Sequence, residues 1–386
     1  MRKSIICFFV ILILIFVVPC ISVKQVKADE LIDSIGEQLG EIDLSGLEDY
    51  MNSLDGEFNE GVIEKITKML SGEYSFDYSS FTNYFIKCVF NSIVEMLPMT
   101  FAIVVIALFL SMINSIKSVF LENSISEIIY FACIGGIILV VFSQIILVFS
   151  SVNIAIENLS KLNEIISPII LTLMVASGGI NSASVFKPTS IYLSGGVIEV
   201  IKYAVFPLIS IMFVFSILSN LSSAIKLKKT SDFVSGIIKW IIGVIVSVFG
   251  IFGVVQGIGV AFHDGISAKA AKYVLSNSVP IIGGFLREGF DVIIAGSVLI
   301  KNSIGIAGVF MVFYTVLSPI LLIASISLLL KLTAAIIEPF SDPRIPDFCM
   351  SVNRAISFLL VVLILVGVMF FINILLMIFS ANAIVL

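Results

Sequence analysis

Histidine is almost absent from this chain. His263 is the only one, which excludes histidine-rich metal sites and any relay needing a second imidazole. The five cysteines build no framework. Cys7 and Cys20 lie near the N-terminus, Cys88, Cys133 and Cys349 sit far apart in apolar surroundings, and no Cys-x-x-Cys occurs. They read as small apolar side chains. Gly-x-Ser-x-Gly, Walker and His-Glu-x-x-His motifs are missing, so the sequence assembles no catalytic, metal or cofactor site. His263-Asp264-Gly265 reads as a turn rather than a catalytic fragment. Charge is scarce too. Charged residues make up 13% of the chain, against ~25% in a soluble domain, and no basic face for nucleic acid stands out.

What the chain has instead is hydrocarbon. Hydrophobic residues reach 59%, more than a soluble globule of this length can hide. Runs such as Phe101–Leu110, Ile237–Val255 and Phe358–Phe379 are nearly free of charge and suited to a ~30 Å apolar layer. Backbone donors in lipid must bond within their own segment, so these runs are helices unless strands close into a barrel. Barrel strands alternate polar and apolar residues, and these runs do not. The expected fold class is all-α: a polytopic helical integral membrane protein, non-enzymatic, with a small exported acidic helical region at its N-terminus.

Three regions follow. Residues 1–28 read as a signal peptide: Arg2-Lys3, an apolar stretch Ile5–Val18, and small residues Val26 and Ala28 before Asp29. Cleavage is expected after Ala28. Residues 29–80 hold 14 of the 27 acids and two bases, Lys65 and Lys68. Within them Phe58, Val62, Ile66, Met69 and Leu70 recur at helical spacing, and Leu31, Ile35 and Leu39 suggest a weaker helix. Two short helices cannot build much core, so this region is expected to dock on the membrane body or on a partner, with Phe58–Leu70 as the docking stripe. The remainder, 81–386, is the multi-span membrane domain, with 16 bases against 13 acids.

Six strong spans are expected at roughly 98–113, 127–149, 190–218, 236–262, 304–330 and 355–379. Two shorter apolar segments, about 165–180 and 279–300, are broken by Pro168, Gly178-Gly179, Pro280 and Gly283-Gly284. They are either full spans or re-entrant elements. An internal echo bears on the choice, because the spacing from Pro168 to Pro207 equals that from Pro280 to Pro319. Full spans would make the two copies inverted, as in many secondary transporters; re-entrant segments would make them parallel. The Lys226–Lys229 cluster favours a cytoplasmic loop at 219–235, and hence six crossings.

Charged residues inside spans are candidate functional positions. Glu199 and Lys202 are three apart and can pair on one helix face; Arg287, Glu288 and Asp291 cluster similarly. Each set reads either as the polar lining of a pathway or as a self-neutralised structural pair. Gly243, Gly250, Gly253, Gly257 and Gly259 on one span suit close helix approach.

The stretch from Lys226 to Phe310 carries a family resemblance. It reads Lys-Lys-Thr-Ser-Asp-Phe, Ile238-Lys239-Trp240, His263-Asp264-Gly265 and Lys269-x-x-Lys272. Val279-Pro280-Ile281-Ile282-Gly283-Gly284-Phe285-Leu286 and Leu299-Ile300-Lys301-Asn302-Ser303-Ile304-Gly305 follow. This resembles the stage III sporulation protein AE family of endospore-forming bacteria. The resemblance implies a sporulation protein of the mother-cell membrane facing the forespore, acting during or after engulfment. It implies as partners the other stage III sporulation A-type membrane proteins and stage II sporulation protein Q, in a channel-like or secretion-like assembly. It carries over no catalytic residue. A stand-alone secondary transporter is the alternative, motivated by the echo and the broken segments.

Overall fold

The computed structural model describes residues 44–53, 78–120, 123–221, 227–278 and 283–380. The signal segment and the Phe58–Leu70 stripe lie outside them. Every regular element among the described residues is helical. Helix α1 is Ser45–Ser53, α2 Tyr78–Phe120, α3 Asn123–Ala176, α4 Ile180–Leu221, α5 Lys228–Ser278, α6 Gly283–Ile337 and α7 Arg344–Phe379. The last six each contain a stretch long and apolar enough to cross a membrane. The chain is an all-α polytopic membrane protein.

These helices overshoot the bilayer. At 1.5 Å per residue, the 54 residues of α3 and 55 of α6 run about 80 Å, against a ~30 Å hydrocarbon core. The charges show which part lies in lipid. Charge-free runs occupy 96–116, 128–156, 203–225, 240–262, 302–330 and 355–379, one for each of α2 to α7. They begin near one end of the bundle, marked by Lys228, Lys229, Lys239, Lys331 and Arg354, which is called the basic end below. The opposite, hairpin end carries the turn between α3 and α4 and the junction between α5 and α6.

The two short segments of the sequence are therefore neither separate spans nor re-entrant. Residues 165–176 continue α3, and 283–300 begin α6. Pro168 does not break α3, which runs on through it to Ala176, in keeping with the tolerance of spanning helices for proline. The break comes at 177–179, where Gly178 takes φ 90°, a left-handed turn that favours glycine. Gly179 N–H then donates to the Met174 carbonyl at 2.7 Å and closes the end of α3. With the short segments absorbed, the two proline-spaced copies run parallel: α4 and α6 both return to the basic end, and α5 and α7 both leave it.

Helices α6 and α7 form the centre. Their apolar stretches are 61% and 56% buried, against 11% for α5. Close approach there depends on glycine. A Cβ at Gly308 would lie 2.6 Å from Ile166 Cδ1, one at Gly367 3.1 Å from Val316 Cγ1, and one at Gly305 would run into Ile378. The α5 glycines behave otherwise. Added Cβ atoms at Gly243 and Gly250 meet nothing within 4 Å, and at Gly253 only Leu376 Cδ1 at 3.9 Å. At these three positions the close packing expected for that span is not made among the described residues, because α5 lies at the rim of the bundle. The side chains at 257 and 259 lie outside the described set.

Candidate functional site

Polar groups gather at three levels of the bundle. At the basic end, Arg344 forms a two-pronged ion pair with Asp342, Nη2 to Oδ2 at 2.9 Å and Nε to Oδ1 at 3.0 Å. Its guanidinium lies 3.5 Å over the Tyr130 ring, a cation–π contact joining the α6–α7 turn to the start of α3. Tyr130 in turn donates its hydroxyl to the Asn220 carbonyl of α4 at 2.9 Å. Burial alone would raise the Asp342 carboxyl, but the hydrogen bonds and charge of Arg344 outweigh it and hold the group below its ordinary range. Nearby, Arg354 of α7 pairs with Asp232 of α5 at 2.6 Å. These contacts hold α3, α4, α5 and α7 together at one end.

The second level lies at the far edge of the charge-free runs. Lys202 Nζ donates to Glu157 Oε1 of α3 at 2.6 Å, and Asn153 Nδ2 donates to the same oxygen at 3.0 Å. The spacing-based pairing with Glu199 is not the one Lys202 makes. Two π-helical segments, Tyr192–Val197 and Ile201–Val205, flank Glu199, and Lys202 sits in the second. The wider π turn takes residues three apart off a common face, so Lys202 turns toward α3 while Glu199 stays exposed. The pair is half-exposed, so screening limits it to about 0–1 kcal/mol. Arg287, Glu288 and Asp291 fall in the first turns of α6, with their side chains outside the described set.

The third level is sealed. Asn163, Ser167, Thr189, Ser190, Gln256, Lys301 and Asn373 are all at most 5% exposed. Asn163 Nδ2 donates to the Ser190 carbonyl at 3.1 Å, and Asn163 Oδ1 accepts from Ser167 Oγ at 2.9 Å. Gln256 of α5 donates to Thr189 Oγ1 of α4. Lys301, wholly buried on α6, donates to the Ile378 carbonyl in the last turn of α7 at 2.9 Å. Sequence reasoning missed this layer. Asn and Ser inside apolar helices are weak signals, whereas Lys301, the one charge between Asp291 and Lys331, was a signal that could have been followed.

A segment of the acidic region docks against the bundle near this level. Leu44, just before α1, and Leu47, Tyr50 and Met51 of α1 are buried, and Gly46 packs against Ile165 of α3. The Tyr50 hydroxyl and Thr315 Oγ1 of α6 hydrogen-bond at 2.8 Å. Burial pushes the Tyr50 hydroxyl up to about 12, the bond to Thr315 offsetting part of that rise. Residues 44–53 thus pack on the membrane body through a stripe the sequence did not single out, while the expected docking stripe Phe58–Leu70 lies outside the described residues.

Amides, hydroxyls and one ammonium can fix helices and bind small polar species. Among the described residues no cluster of three or more histidine, cysteine, aspartate or glutamate side chains could hold a metal. A six-span helical body with a sealed polar layer defines the class: a polytopic membrane protein with a hydrogen-bonded interior. A family model described as stage III sporulation protein AE matches residues 62–381, and the chain belongs to that family. It is similar to the stage III sporulation protein AE of Bacillus subtilis (strain 168), 23% identical over 356 residues that cover 90% of this chain and 89% of the relative. No solved structure matches.

Proposed function

We propose that this chain is the polytopic platform subunit of a channel-like or secretion-like complex between mother cell and forespore. It sits in the mother-cell membrane facing the forespore. The carrying observation is the family match over 62–381, which takes in the whole membrane body. The partners proposed are the other stage III sporulation A-type proteins and stage II sporulation protein Q. The structure fits a subunit role in one respect. Helix α5 leaves most of its apolar stretch uncovered, exposing Phe233 and Trp240, while α6 and α7 are enclosed. The test is recovery of the tagged chain from sporulating cells in mild detergent. Co-purification of the proposed partners is expected; recovery of the chain alone overturns the proposal.

The orientation belongs to the same proposal. The basic end faces the cytoplasm, since Lys228, Lys229 and Lys239 lie close to the start of a span. Ser231→Cys, in a variant lacking the native cysteines, is therefore expected to resist an impermeant thiol reagent in intact protoplasts and to react after permeabilisation. Ready labelling in intact protoplasts reverses the orientation. The second reading, a stand-alone secondary transporter, rests on the repeated proline spacing. It loses its inverted repeat in the parallel arrangement of α4–α5 and α6–α7. Solute flux by the purified chain alone in proteoliposomes would favour it.

A further inference from the structure

Asn373 has no access to solvent, and its side-chain Oδ1 has no protein partner among the described residues. Its Nδ2 reaches Asn163 Oδ1 only at 3.5 Å and Met377 Sδ at 3.9 Å. Exchanging the two ends of the amide does not help. It would set two carbonyl oxygens against each other and leave the nitrogen short instead. In either orientation one end of a fully buried amide is unfilled, a state that buried polar groups in folded proteins almost never keep. Around it stand Asn163 and Ser167 on α3 and Ser190 on α4, with Ser190 Oγ 4.0 Å from Met377 Sδ.

We infer that this layer is a water-binding site, in which bound water bridges Asn373 of α7 to the Asn163–Ser167–Ser190 group of α3 and α4. Water meets the requirement because it both donates and accepts and needs two to four polar partners at a buried site. A metal cation does not. The donors are neutral, no carboxylate belongs to the layer among the described residues, and the Lys301 ammonium bonds the carbonyl next to Met377. An apolar occupant would leave the amide unfilled. The bundle interior is therefore hydrated at one level, and there water adds to the long Asn373–Asn163 contact in joining α7 to α3. This holds whatever assembly the chain enters.

Radiolysis of bound water oxidises the methionine beside it, and Met377 is placed to report. Met377 and Met96 are 0% exposed and Met212 1%, so the three are equally shut off from bulk solvent. In X-ray footprinting of the full chain in nanodiscs, Met377 sulfoxide is expected to form several-fold faster than that of Met96 or Met212. Radicals generated in bulk with peroxide are expected to leave Met377 as unreactive as the other two. Asn373→Leu should bring its radiolytic rate down to theirs, and replacing sodium by choline should change nothing. Equal rates for all three methionines in the parent chain overturn the inference without any variant. So does rapid labelling by bulk radicals, which would mean access from solvent, or a rate that depends on sodium, which would mean an ion.

Discussion

Gly305→Leu will not accumulate as a folded chain, while Gly243→Leu will be close to the parent in stability. Gly305 lies on α6 against the last turns of α7, and a Cβ there would sit 2.6 Å from Ile378 Cδ1 and nearer still to Cγ1. Ile378 cannot simply turn aside. It is 7% exposed, and its carbonyl is held by Lys301 from the same helix that would carry the new side chain. A leucine must then part α6 from α7 over their last shared turns, the most enclosed seam of the bundle. Overpacking of that kind costs about 3 kcal/mol, which is much of the margin of a typical domain. Nothing lies within 4 Å of a Cβ at Gly243, so leucine there projects into open space and shifts stability by about 0.5 kcal/mol or less. Thermal unfolding of detergent-solubilised protein, followed by gel filtration, compares the two. Equal midpoints for the two variants would mean that the α6–α7 seam is looser than it stands here.

That contrast also shows what the sequence makes legible. Composition and charge-free runs reveal the fold class and the six spans, because lipid leaves an apolar backbone no alternative to helix. The partition of the short segments was not legible. Pro168 and Gly178-Gly179 are equally good breakers by residue type, yet α3 runs through Pro168 and ends at the left-handed turn of Gly178. Glycines on α5 and on α6–α7 look alike as letters; which of them face a neighbour is decided by tertiary packing. The charge pair failed for a local reason. Residue spacing assumes 3.6 residues per turn throughout, and α4 departs from it on both sides of Glu199. The partner Glu157 lies 45 residues away and could be found only once α3 and α4 were folded against each other.

Lys301→Glu is expected to abolish folding, with Lys301→Met intermediate. The last turn of α7 leaves carbonyls that no later helical N–H can reach, and two of them have donors from side chains. Ser380 Oγ serves Met377 at 3.1 Å, and Lys301 Nζ serves Ile378 at 2.9 Å. An ammonium also suits the negative end of the helix dipole. Methionine keeps the length of the side chain and removes its charge, so the loss is chiefly the Ile378 carbonyl left short of a donor, about 1–3 kcal/mol. Glutamate sets a carboxylate against those same carbonyls in a site with no solvent access, and a buried charge without compensation costs ~3–5 kcal/mol. Yield of monodisperse protein and its thermal midpoint should therefore fall in the order parent, Lys301→Met, Lys301→Glu. A Lys301→Glu chain that elutes and melts like the parent would show that this side chain reaches water and that α7 does not end against it.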